Sequence, residues 1–249
     1  MKKWFISISG VLGLILVIIA VLISTDAWSF EPTEAFEEAH FSASDINSIH
    51  IFSNVGNVTV MPHQGEEIVA SVSGHTRMFE EELEFETKES GAVLSIHAEQ
   101  KDRAWLFSFL PKSSYAITVR IPETEMAELV IESSVANLSV LDVEVEQMTL
   151  KSEVGDVELS GAPKLLEIET DVGNINAKVQ SIYESMKLLS SVGDIKLTVA
   201  ELPDQLEYTV HTSVGSTAIE PLESVIQTEA APVLKMETSV GSIEVLSGR

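Results

Sequence analysis

The sequence predicts an all-β chain: a β-solenoid (β-helix-like) ectodomain built from repeats of about 20 residues, preceded by one N-terminal transmembrane helix. Three observations predict it. A charge-free apolar run opens the chain, a short Ser/Thr-x-Val-Gly motif recurs along it, and strict alternation of apolar residues precedes each copy of that motif.

The apolar run extends from Trp4 to Ser24 and is dominated by Leu, Ile and Val. At about 1.5 Å of rise per residue, a helix of this length spans roughly 30 Å, the thickness of a bilayer's hydrocarbon core. Lys2 and Lys3 precede the run, whereas Asp26, Glu31, Glu34, Glu37 and Glu38 follow it. Positive flanking charge stays in the cytoplasm, so residues 1–3 are expected as a cytoplasmic stub and residues 4–25 as a signal anchor. The rest of the chain is then extracellular, on a single-pass protein of the plasma membrane. A cleaved signal peptide is the alternative, with Thr25 and Ala27 as small residues before the cut. The run exceeds the roughly 7–15 apolar residues of such a peptide, which favours the anchor. The chain has no cysteine, which excludes a lipid-modified N-terminal cysteine and any reliance on disulfides.

Residues 26–44 are expected as an acidic spacer, with a short helix from Pro32 to His40. Without Lys2 and Lys3 the chain holds 13 basic residues against 39 acidic ones. Such a surface repels nucleic acid and is most simply the solvated exterior of strands, though it also suits cationic partners.

Residues 45–249 carry the repeat. Its octets are SNVGNVTV from Ser53, SSVANLSV from Ser133, SEVGDVEL from Ser152, TDVGNINA from Thr170, SSVGDIKL from Ser190, TSVGSTAI from Thr212 and TSVGSIEV from Thr238. Val55 stands apart; Val135, Val154, Val172, Val192, Val214 and Val240 follow at intervals of 19, 18, 20, 22 and 26 residues. Two and four residues before each Ser/Thr the chain is apolar, as in Leu166 and Ile168 or Met186 and Leu188. That is the period of a strand with one buried face. The Ser/Thr and the Val are expected to continue this inward face. After the Val, apolar residues recur three and five positions on, so the chain must bend. Gly56, Gly155, Gly173, Gly193, Gly215 and Gly241 mark the bend, and Ala136 is the one departure.

Each copy therefore reads as strand, corner, strand, turn. A unit this small buries its apolar face only by stacking on its neighbours. A solenoid with Val ladders inside its corners is expected, the alternative being an antiparallel sandwich of hairpins. A type I′ hairpin favours Asn-Gly or Asp-Gly, whereas here the glycine follows valine. Residues 126–249 form the regular repeats, and residues 45–125 the wider, less regular first layers. Strands are expected there at Glu67–Ser73, Glu82–Thr87, Ala92–Ala98 and Tyr115–Ile121.

A single anchor, an acidic spacer, a strand ending in VGNVTV, the segment VRIP before Glu123, and a ladder of SVGD-type repeats resemble the bacterial membrane-anchored "putative adhesin" β-solenoid family, including LiaG-like proteins of Bacillus and its relatives. The resemblance covers residues 45–249. It implies an extracytoplasmic cell-envelope protein, in some members linked to envelope-stress regulators, and no catalytic residues to carry over.

The residues themselves give little sign of catalysis. There is no Cys nucleophile and no G-x-S-x-G elbow, and His40, His50, His63, His75, His97 and His211 are scattered. Glu153, Glu158, Glu167, Glu169 and Asp171 resemble the stacked carboxylates of β-helix polysaccharide enzymes, but they alternate with Lys151, Lys178, Lys187 and Lys196. Asn57, Asn137, Asp156, Asn174, Asp194, Ser216 and Ser242 follow the bend; local capping or Ca²⁺ coordination fits them, though the dense Gly/Asp pattern of calcium-binding rolls is absent. AWLFSFL gathers Trp105, Phe107 and Phe109 between Arg103 and Lys112, as an apolar cap on a solenoid end or a partner-binding patch. The expectation is a non-catalytic envelope protein with an adhesin-like interaction or scaffold domain and no cofactor. Its partners are the membrane, and another envelope protein or a cell-wall component, but no nucleic acid. A sensor or modulator of envelope stress is the alternative, and a carbohydrate-active β-helix enzyme a more distant one.

Overall fold

Residues 33–76, 83–100, 114–123, 126–229 and 232–248 are described by a computed structural model. The expected anchor (residues 4–25) and the patch of Trp105, Phe107 and Phe109 lie outside the described residues. No helix among the described residues is long and apolar enough to cross a membrane.

The alternation seen in the sequence folds into strands that contribute in turn to two sheets. The chain enters as β1 (Thr33–Ser42) and a 3-10 turn at Ala43–Asp45. Next come β2 (Ser48–Ser53), β3 (Asn57–His63), β4 (Glu67–Thr76), β5 (Leu83–Ser90), β6 (Val93–Gln100) and β7 (Ser114–Pro122). The repeats then supply paired strands: β8 (Met126–Val135) and β9 (Leu138–Val143), β10 (Val145–Val154) and β11 (Val157–Gly161), β12 (Leu165–Val172) and β13 (Ile175–Val179). The last are β14 (Ser185–Val192) and β15 (Ile195–Val199), β16 (Glu207–Val214) and β17 (Thr217–Ala218), β18 (Val233–Val240) and β19 (Ile243–Ser247).

Each pair is one coil, with its first strand in a nine-stranded sheet and its second in a ten-stranded sheet. Neighbouring coils pair in parallel and in register, as in Leu166↔Met186, Ile168↔Leu188 and Thr170↔Ser190. The hairpin alternative is thus excluded for the repeats. Antiparallel pairing flanks them only at the N-terminal end, where β1 pairs with β4, β4 with β7 and β5 with β6. The core lies between the sheets: Ile131, Leu150, Ile168, Leu188 and Met236 of one face Val140, Leu159, Ala177, Leu197 and Val245 of the other, all essentially inaccessible to water. Full burial of a Leu or Ile side chain contributes roughly 1.5–3 kcal/mol, so these stacked rows supply most of the driving force.

The segment expected as a spacer with a short helix over Pro32–His40 is instead strand β1, paired with β4 from Thr33↔Thr76 to Ser42↔Glu67. The physical reason is the edge of β4, whose free backbone donors and acceptors another strand satisfies and a helix does not. Side chains reinforce the join: Glu38 accepts from Arg120 at 3.1 Å, and His40 lies 3.0 Å from both Glu38 and Glu67. Those hydrogen bonds, Glu67's first and then Glu38's, raise the His40 pKa above its ordinary value.

The coils do not stack in sequence order. The β18/β19 coil inserts between the β14/β15 coil and the β16/β17 coil, so the sixth repeat copy sits outermost and the seventh fills the slot behind it. The same happens at the other end, where β2/β3 lies between β8/β9 and β6/β7. Residues 219–229 connect the exchanged coils, with a 3-10 turn at Glu220–Ser224 that buries Leu222.

Outward rows carry ion pairs between neighbouring coils, although Lys187 also lies in register with Lys235. Lys187 donates to Glu167 at 2.8 Å and Lys196 lies 2.8 Å from Glu244, both across neighbouring coils. The Lys187 bond holds the Glu167 carboxyl below its usual pKa. Such exposed pairs contribute under about 1 kcal/mol each, but like charges in the same register would repel.

Two predictions follow from this architecture. The His40 ring protons, followed by NMR, should titrate above the ordinary value of 6.5, and Glu67→Gln should lower the midpoint. Ending the chain at Pro232 removes the inserted coil and leaves β16 and β17 without neighbours. Limited proteolysis should then cut within residues 207–218 while β8–β15 stay protected.

Candidate functional site

Each corner begins with the inward Ser or Thr that ends the apolar row. Ser133, Ser152, Thr170, Ser190 and Thr238 are buried, as expected. The valine two residues on is not. Val135, Val154, Val172, Val192, Val214 and Val240 are 47% to 63% exposed and form a row along the outside of the corners. The expected internal Val ladder is therefore corrected. Alternation ends at the hydroxyl, and the backbone begins to turn before the glycine, which swings the valine outward. Val55 is only partly buried and packs against the core.

The buried hydroxyls lock the stack. Thr170 donates to the Gly155 carbonyl of the preceding coil (3.2 Å), Ser190 to Gly173 (3.0 Å), Thr238 to Gly193 (3.0 Å), and Ser152 to Ala136 (3.0 Å). Those same carbonyls explain the glycines. A Cβ on Gly173 would fall on the Gly155 oxygen, well inside van der Waals contact, and Gly155, Gly193, Gly215 and Gly241 face their neighbours in the same way. The glycine amides complete the join: Gly155 donates to Val172, Gly173 to Val192 and Gly193 to Val240, each at 2.9 Å.

The Asn/Asp row is a second lock between coils rather than a set of local caps. Asn137 Oδ1 accepts from the Asp156 amide (2.9 Å), Asp156 Oδ1 from Asn174 (2.8 Å), Asn174 Oδ1 from Asp194 (2.9 Å), and Asp194 Oδ1 from Ser242 (2.7 Å). Their oxygens are thus engaged by the next coil. No cluster of three or more His, Asp or Glu among the described residues is arranged to hold a metal ion.

The hydroxyl lock fails at one place among the described corners, where only the Asn row still joins the coils: Asn57 Oδ1 accepts from the Asn137 amide at a longer 3.4 Å, and Val58 N donates to Asn137 O at 3.0 Å. Pairing of β8 with β10 extends to Val135↔Val154, but pairing of β2 with β8 stops at Ser53↔Ser133. The first corner, Ser53–Asn57, leans away from the second. Asn54 is held by both Gln100 backbone groups: its Nδ2 donates to Gln100 O at 3.0 Å, and its Oδ1 accepts from Gln100 N at 2.9 Å. Gly56 turns at φ 101°, where a Cβ would lie 2.7 Å from the Tyr115 carbonyl oxygen. The Ser53 hydroxyl bonds within its own corner, to Val55 O at 2.7 Å. Ser133 consequently lacks the carbonyl that its counterparts use, and its buried hydroxyl has no partner among the described residues. Ala136 now has its explanation, since the split leaves room there for a methyl group.

Beside the split lies an open groove of about 520 Å³. Phe52 and His97 line one end, their rings stacked at 4.8 Å and 20°, and His50 meets Phe52 edge-on at 6.5 Å while bonding Glu128 at 3.1 Å. Glu99, Glu132, Glu153, Glu169 and Asp171 supply carboxylates, with Lys151 the single lysine or arginine of the lining, 3.9 Å from Glu169. Of the carboxylates that the sequence suggests, Glu153, Glu169 and Asp171 converge here. Glu167 is bound to Lys187, and Glu158 lies in the other sheet. Phe52, Asn54, His97 and Ser133 are missed by sequence reasoning, and Ala136 is the one signal that pointed to them.

Two overlapping matches to one family model, over residues 46–165 and 137–245, together span nearly all of this fold. The chain belongs to the Toastrack DUF4097 family. The overlap of the two Toastrack matches falls in the β9–β12 region, as a repeated architecture requires. Among solved structures, a "putative cell adhesion protein" from Clostridium sporogenes is similar at 10% identity and TM-score 0.53, over 87% of this chain and all of that one. A "putative adhesin" from Bacteroides fragilis is similar at 15% identity and TM-score 0.44, over 86% of this chain and 99% of that one. A "putative lipid binding protein" from Parabacteroides distasonis shares 12% identity at TM-score 0.25, over 88% and 96% of the two chains. At these identities the first likeness shows the fold alone. No curated protein matches the chain significantly.

The lock gives a contrasting pair of substitutions. Gly173→Ala should destabilise by about 3 kcal/mol, the upper end for overpacking, because backbone must move to admit the Cβ. Ala136→Gly should cost only about 1 kcal/mol or less, from backbone entropy. Thr170→Val leaves the Gly155 carbonyl without its donor and should cost about 1–3 kcal/mol. Thermal melts of the three variants check this ranking.

Proposed function

We propose that this chain is a single-pass cell-envelope protein, anchored by residues 4–25, whose Toastrack domain is a non-catalytic, adhesin-like interaction module. The observation that carries this reading is the split in the corner stack. Where the hydroxyl lock of the other described corners is missing, an open, acidic groove with an aromatic pair in its lining lies on a rigid frame. Binding sites are typically concave, preformed and few, with a handful of polar groups on an apolar or aromatic lining. Rigid walls reduce the ordering cost of association. The acidic exterior adds long-range attraction for cationic wall or envelope components and disfavours nucleic acid. The description of the Clostridium sporogenes neighbour as a cell adhesion protein agrees with this reading.

Co-sedimentation of the full-length protein with isolated bacterial cell-wall sacculi tests it. The protein should pellet with the sacculi, and Glu132→Lys combined with Glu153→Lys should lower the bound fraction several-fold while a cooperative thermal melt shows the variant still folded. Equal binding by the folded double variant contradicts the assignment of the groove.

A further inference from the structure

We propose that the groove binds an amino sugar, a pyranose bearing a free ammonium group, within a cell-envelope glycan; this rests on the interaction reading above. Three features converge. Glu132, Glu153 and Asp171 face a lining with only Lys151 as a fixed cation, so a positive ligand is favoured. The Phe52–His97 pair, stacked at 4.8 Å, offers aromatic surface at the groove's end. The C–H face of a pyranose packs on such a surface, which a flexible hydroxyl-free polyamine uses poorly.

The third feature is Ser133. This lining residue is 8% exposed, its hydroxyl oxygen is essentially inaccessible, and that hydroxyl has no partner among the described residues. The equivalent hydroxyls of Ser152, Thr170, Ser190 and Thr238 each donate to a carbonyl of the coil behind them. A buried polar group without a partner calls for a polar atom at that point. Rotation of the short Ser133 side chain brings its sealed oxygen to the groove, where a sugar hydroxyl supplies that atom; an ammonium group alone does not satisfy the donor. The two hydrogen bonds between Asn54 and Gln100 hold the opposite wall, so the site exists before the ligand arrives.

Isothermal titration of the full-length protein in uncharged detergent at pH 6 tests this, with three probes: the tetramer of glucosamine, the tetramer of N-acetylglucosamine, and spermidine. The glucosamine tetramer should bind at least about tenfold more tightly than either of the others, because only it offers both charge and hydroxylated rings. Glu132→Gln with Glu153→Gln should weaken it about tenfold, and Phe52→Leu should erase its advantage over spermidine. Unchanged melting curves establish that these variants fold, and His97→Ala serves in place of Phe52→Leu if that variant does not. Spermidine binding as tightly as the glucosamine tetramer overturns the proposal and leaves simple charge attraction. So does indifference of glucosamine binding to the carboxylate variants. If no sugar binds while sacculus binding is still lost on Glu132→Lys and Glu153→Lys, the ligand class falls and the interaction reading stands. If both fail, the groove is not the contact site.

Discussion

At each glycine corner of the regular repeats one carbonyl oxygen sits where the neighbouring coil would have to place a Cβ. That close approach dictates glycine at the bend, and it brings the oxygen within reach of a buried Ser or Thr hydroxyl. The two requirements are a single geometric constraint. Coils near enough for the hydroxyl to donate are too near for a side chain at the bend. Once the corners stack this closely, the strands on either side pair in parallel register, and the apolar rows meet between the sheets. Hydrophobic burial then stabilises a spacing that the corners set.

The same constraint locates the groove. Where a corner is drawn elsewhere, as Asn54 and Gly56 draw the first one toward Gln100 and Tyr115, the lock cannot close. A polar group is orphaned, a methyl is tolerated at residue 136, and outward side chains that elsewhere lie on a continuous sheet instead rim a hollow. Structure and candidate function thus share one origin, the interruption of a hydroxyl–carbonyl contact that the other described corners repeat.

Much of this was legible in the residues. Alternation such as Leu166, Ile168, Thr170 gave the strands and their buried face, and the VGN and VGD steps gave the corners. The strands expected between residues 67 and 121 lie close to where β4–β7 fall. The outward valines were not legible, because Val172 keeps the parity of the inward row and only the three-dimensional turn after Thr170 removes it. The exchanged order of the last two coils was not legible either. The octets from Thr212 and Thr238 share their first five residues, and only their longer intervals of 22 and 26 residues hint at chain that must pass a coil and return. Strand β1 was hidden by its acidic composition, since it is recruited by the open edge of β4 rather than by its own pattern. Ala136 was visible from the start, but its meaning depends on a carbonyl that had moved away.

Amide hydrogen exchange measured residue by residue tests the central claim most directly. The amides of Ala136, Gly155, Gly173, Gly193 and Gly241, which donate across the stack, should exchange slowly, and that of Gly56 quickly, with a step in protection between the first two corners. Uniform protection through Gly56 would show a closed stack, and with it neither a split nor the groove that depends on it.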